Sequence, residues 1–108
     1  MTASVMAKWE PNGIWPDTWH LRGQRDVIAL TVSPMRSMEA DEPGYYWHVE
    51  EMTWLERLDE KRTVPCSGWD KTLAEAQEHA EAALAALLAW REAQRQSMIH
   101  YFQTGFWR

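Results

Sequence analysis

Residues 72–96 read TLAEAQEHAEAALAALLAWREAQRQ, and they satisfy the local requirements of an α-helix one after another. Thr72 followed by Glu75 is a capping-box pair, in which the hydroxyl takes an orphan amide and the carboxylate reaches back. The body holds nine alanines and neither proline nor glycine, so intrinsic propensity is high. Glu75, Glu78 and Glu81 come early and Arg91 and Arg95 late, the order that the helix dipole favours. At 100° per residue Leu73, Ala76, Ala80, Ala83, Leu84, Leu87 and Trp90 share one face. The spacing therefore predicts a helix over 72–97 whose apolar stripe covers a sheet. The opposite face carries Glu78, Glu81, Glu92 and Gln96 around a bare centre of Ala82, Ala85 and Ala89. Alanine there is either a good exposed helix former or a small surface on which a second chain can approach closely, as in a homodimer.

Working back from this helix, the pattern changes from a period near 3.6 to a period of 2. In residues 45–52, Tyr45, Trp47 and Val49 alternate with Tyr46, His48 and Glu50, as in a strand with one face on a core and the other toward water. Residues 27–32, VIALTV, are rich in β-branched side chains, and simple alternation places Ile28, Leu30 and Val32 on one face. A short strand over 18–22 would reach it through a turn at Gly23 and Gln24. Residues 33–44 form a loop by composition. Trp54, Leu55 and Leu58 continue or bend the aromatic strand, residues 59–61 turn, and 62–66 make a short last strand that Pro65 makes an edge or ends. Ahead of all this, residues 1–17 read as an irregular arm, and residues 98–108, MIHYFQTGFWR, as an aromatic tail that folds back or docks on another chain. The expected architecture is α+β, one domain over 1–108: an N-terminal arm (1–17), antiparallel strands (18–67), a long helix (72–97) and the tail (98–108). Three or four antiparallel strands would pack under one long C-terminal helix.

Composition narrows the function. The 108 residues hold 16 acids against 11 lysines and arginines, a formal net charge of −5. Such a chain suits general phosphate-backbone binding poorly. One cysteine excludes an internal disulfide and fits a reducing compartment. The first residues lack the apolar core of a signal peptide. The longest apolar run, 82–90, is far short of the roughly 20 residues that span a bilayer, so no membrane association and a cytoplasmic location are expected. His20, His48, His79 and His100 lie too far apart for local zinc spacing, Ser67 lacks the glycines of a nucleophile elbow, and no phosphate loop is present. The expectation is a non-enzymatic protein without cofactor or metal.

Charge and aromatic placement suggest where a partner would touch. Between residues 39 and 60 eight acids (39, 41, 42, 50, 51, 56, 59 and 60) face the single base Arg57, a local net of −7. This is either a solvated rim or an acidic patch directed at a basic groove, where it would speed encounter by steering. Eight tryptophans are more than a small core hides easily, because each buried indole N–H needs an acceptor. Trp47 and Trp90 fall on core faces, while Trp9, Trp15, Trp19, Trp54, Trp69 and Trp107 lie in arms, turns and strand ends. Tryptophan is also enriched at binding hot spots. The candidate partner-binding residues are Glu39, Asp41, Glu42, Glu50, Glu51, Trp54, Trp69 and Trp107.

The strand GYYWHV, the turn SGW and the run DKTLAEAQEHAEAALAALL together resemble small phage- and prophage-encoded proteins that pair a short antiparallel meander with a helix. The resemblance spans about residues 44–88. Some small acidic phage proteins are anti-defence proteins, anti-CRISPRs among them, which bind a host protein or ribonucleoprotein effector complex and block it. The resemblance thus implies an inhibitor acting by protein–protein occlusion, and it carries no site residues across. The alternatives are a nucleic-acid-binding module of double-stranded-RNA-binding-like architecture and a homodimeric phage accessory protein. The first needs Arg22, Arg25, Arg57, Lys61, Arg62 and Lys71 on one surface; the second would be joined through Ala82, Ala85 and Ala89 or through the tail.

Overall fold

The computed structural model describes residues 9–23 and 25–104, the last of them by its backbone alone. Five antiparallel strands follow one another in chain order across a single open sheet: β1 (Glu10–Pro11), β2 (Trp19–Arg22), β3 (Ile28–Pro34), β4 (Tyr45–Val49) and β5 (Ser67–Asp70). A short helix α1 (Trp54–Leu58) interrupts the connection from β4 to β5, and a long helix α2 (Leu73–Thr104) follows β5. The α+β class is as expected, but the sheet has five strands rather than three or four. The extra one, β1, lies inside the segment read as an irregular arm. It pairs only two residues, Glu10 with His20 and Pro11 with Trp19, too few to show a period. Pro11 is tolerated because β1 is an edge.

Register explains which side chains meet α2. Leu30 pairs with Val49 and Val32 with Trp47, and Trp19 and Leu21 fall on the same side of the sheet. Leu30, Val32, Val49, Ala76, Ala80 and Leu87 are fully buried between sheet and helix, so the predicted helical stripe does face the core. Alanine at 76, 80 and 83 lets the helix sit close to the large ring of Trp47.

The last strand is residues 67–70, not 62–66. Pro65 offers no amide to a ladder, and the Arg62 guanidinium donates to the carbonyls of Val64 and Arg57, which holds that segment as a loop. Ile28 also departs from simple alternation. The β2–β3 register shifts between Leu21 and Arg22, so that Leu21 opposes Leu30 while Arg22 opposes Ile28. Ala29 is the unopposed residue of this bulge, and its carbonyl accepts from the Glu50 and Glu51 amides. Leu30 and Val32 therefore enter the core, whereas Ile28 turns to the face that α2 does not cover.

At the start of α2 the Thr72 hydroxyl accepts from the Glu75 amide at 3.1 Å and donates to the Glu75 carboxylate at 2.9 Å. Thr72→Ala should cost about 1 kcal/mol, read as a fall of roughly 5 °C in thermal midpoint. An unchanged midpoint would mean that packing alone holds the helix start.

Candidate functional site

The two turns at one end of the sheet are built from residues that restrict the backbone. Between β1 and β2 the Asn12 side-chain oxygen accepts from the amides of Ile14 and Trp15, both at 3.2 Å, and the Asn12 amide donates to Thr18 at 2.7 Å. Gly13 and Asp17 adopt left-handed backbone angles, φ 88° and 54°. Glycine does so freely, and aspartate is among the residues that tolerate it. Asp17 is further held from two sides, accepting from the Tyr45 hydroxyl at 2.5 Å and from the Trp19 indole at 3.4 Å. That hydrogen bond to the carboxylate keeps the Tyr45 phenol protonated above its usual range. The outcome is a stiff hairpin whose tip presents Ile14 and Trp15, 80% and 68% exposed.

Beside it the loop from Met35 to Gly44 closes on itself. The Met35 amide donates to Gly44, the Ser37 amide to Glu42 and the Asp41 amide to Ser37. Arg36 pairs with Asp41 at 3.2 Å and Lys71 with Glu42 at 3.3 Å. The Trp69 indole donates to the Met35 carbonyl at 2.7 Å and packs against Gly44, where any Cβ would overlap its ring. Met38, 92% exposed, tops the loop beside Glu39. Two clefts flank Trp15: one of about 360 Å³ on the Pro11 and Trp19 side, and one of about 510 Å³ lined by Thr18, Thr31, Ser33 and Glu50.

The sheet thus divides the predicted partner-binding residues. Glu39, Asp41, Glu42 and Trp69 belong to this loop end. Glu51 and Trp54 lie at the other end of β4, about 16 Å of strand away. Glu50 stands on the uncovered face, accepting from the Thr31 hydroxyl at 2.9 Å and meeting His48 Nε2 at 2.7 Å. Trp107 is outside the described residues. Trp15 and Met38 are the additions. Trp15 was only one of six unassigned tryptophans, although the run PNGIWPD around it already signals a tight, exposed turn.

Thr31 is bonded to the Glu50 carboxylate rather than to the imidazole, so it is not arranged as a nucleophile beside its base. Among the described residues no three histidine, cysteine or acidic side chains group as metal ligands, and no helix is long and apolar enough to cross a membrane. The loop end presents the exposed apolar side chains of Ile14, Trp15 and Met38 on turns that also carry Asp17, Glu39, Asp41 and Glu42. No family model, curated protein or solved structure matches this chain.

Proposed function

We propose that this is a non-enzymatic binding protein that occludes a basic surface of a larger host complex, the mode of action of anti-defence inhibitors such as anti-CRISPRs. The observation that carries the reading is Trp15, an exposed aromatic side chain on a turn whose backbone Asn12 and Asp17 fix. An aromatic anchor carried on an already ordered backbone loses less entropy on binding than one on a loose loop. Asp17 shares its turn, and the neighbouring loop carries Glu39, Asp41 and Glu42 against Arg36, with Lys71 on Glu42, which suits steering toward positive charge.

The duplex-binding alternative has weaker support. Arg22, Arg57, Arg62 and Lys71 are already engaged by the protein's own carbonyls or carboxylates. Glu50, Glu51, Glu56, Asp59 and Glu60 lie close in sequence to several of them.

The test is capture from bacterial lysate with the tagged full chain, followed by titration of the partner retained. Trp15→Ala should weaken that complex by about 2 kcal/mol, roughly thirtyfold. Asp41→Lys combined with Glu42→Lys should slow association and flatten its salt dependence while leaving dissociation nearly unchanged. A complex indifferent to Trp15 and to salt would overturn the reading, as would a chain that shifts duplex DNA or RNA in a gel.

A further inference from the structure

We infer that the cleft of about 510 Å³ beside Trp15 is a seat for one arginine side chain of the partner protein. This rests on the reading of the Trp15 hairpin as the contact surface and names what that surface grips. The cleft lies on the face of the sheet that α2 does not cover. Thr31 and Ser33, two residues apart on β3, bring their hydroxyls to it, and Ile28 joins them on this face through the Ala29 bulge. Trp15 and Pro16 of the hairpin tip form an apolar wall.

Glu50 supplies the charge. Its amide donates to the Ala29 carbonyl at 2.7 Å, yet its carboxylate bonds the hydroxyl of Thr31, two residues nearer the hairpin tip. The side chain is thereby drawn back along β3 toward Trp15. The Thr31 hydroxyl and His48 Nε2 both meet Oε2, at 2.9 and 2.7 Å, so Oε1 is left to take a donor from a ligand. His48 itself does not line the cleft. Among the described residues that do, Glu50 is the one ionisable side chain.

These features select the occupant. Whatever fills the cleft takes Glu50 further out of water. A neutral segment would leave the carboxylate without its solvent, and an anionic one would add repulsion. A cation offsets that cost. Arginine fits better than lysine for two reasons. Its methylene stem packs along apolar surface, here Trp15 and Pro16, while its head stays among polar groups. Its five N–H donors, held in one plane, can serve Glu50 Oε1 and the hydroxyls of Thr31 and Ser33 together, whereas an ammonium is a more strongly hydrated point charge. The volume is in the range of small-ligand clefts, roomy enough for flanking backbone to enter with the side chain.

Titration of the isotope-labelled full chain with N-acetyl-Gly-Arg-Gly-amide, followed by nuclear magnetic resonance at the Trp15 indole N–H, tests this. The expected result is a saturable shift with a dissociation constant on the order of 1 mM, as one ion-paired side chain allows. The same peptide with citrulline, which keeps the shape and lacks the charge, should bind at least about tenfold more weakly, and the lysine peptide at least about threefold. Glu50→Gln should weaken the arginine peptide at least about tenfold, while Leu55→Ala, at the opposite end, should not change it. The inference is overturned by the absence of a saturable shift up to about 50 mM, by equal binding of the citrulline or lysine peptide, or by indifference to Glu50→Gln. Should Glu50→Gln lose its fold, the citrulline comparison on wild type decides. The captured complex separates this inference from the reading beneath it. If Trp15→Ala weakens that complex and Glu50→Gln does not, occlusion stands and the arginine seat falls. If the peptide binds through Glu50 while lysate yields no partner, the seat stands and occlusion falls.

Discussion

Gly68→Ala should destabilise this protein by about 3 kcal/mol and lower its thermal midpoint by roughly 10–15 °C. A Cβ on Gly68 would lie 2.6, 2.7 and 2.8 Å from Cζ2, Cε2 and Nε1 of Trp47. Real carbon contacts do not come so close, so something must move. The ring has nowhere to go. It is buried on the cross-strand neighbour, its N–H donates to Asp70 at 3.2 Å, and it belongs to the same buried cluster as Ala76, Ala80 and Ala83 of α2. The cost is therefore overpacking at a rigid site. Trp47→Phe removes the atoms that clash, so in that background Gly68→Ala should cost less than about 1 kcal/mol. Equal costs in both backgrounds, measured by urea unfolding, would sink the explanation. Ser67→Ala, exposed next door, is the control and should be near neutral.

Glu56→Gln should cost about 2 kcal/mol at pH 7, and that cost should vanish toward pH 2. The Arg91 guanidinium holds the Glu56 carboxyl down to about 2, helped by the Thr53 amide. A carboxylate whose folded value is depressed adds stability that is complete above the unfolded value near 4.5. The contribution is lost as pH falls through about 2. The full linkage is discounted because the pair is partly exposed to solvent. Unfolding curves for wild type and Glu56→Gln at pH 7 and near pH 2 should diverge in the first and converge in the second. An equal gap at both pH values would show that the carboxylate's charge is irrelevant to holding α1. His79 runs the other way: its hydrogen bond to the Asp70 carboxylate raises its value. What it adds is present below the unfolded value and lost as pH rises through the folded one.

α1 shows how a legible signal was misread. Thr53 and Glu56 form a complete capping box, the same T-x-x-E step that marks the start of α2. Sequence alone has Trp54, Leu55 and Leu58 continuing or bending the strand because apolar residues are expected to face inward. Their exposure depends on Arg91, 35 residues further on, which draws Glu56 inward and forces the opposite face out. The same distance effect governs the candidate site. The acids of residues 39–60 form one run in sequence, but β4 separates three of them at one end from five beyond its other end, and Arg36, Lys71, Arg91 and His48 pair with several.

Periodicity in the chain alone determined the α+β class, the buried stripe of α2 and the inward side of β4. Helical and strand periods are local, so the side chain at each position follows from its near neighbours. The folded structure alone decided the fifth strand, the turning out of Ile28 by the Ala29 bulge, the inversion of α1 and the division of the aromatic surplus between two ends. Each of these depends on contacts between residues far apart in the chain, and no local period encodes which distant groups will meet.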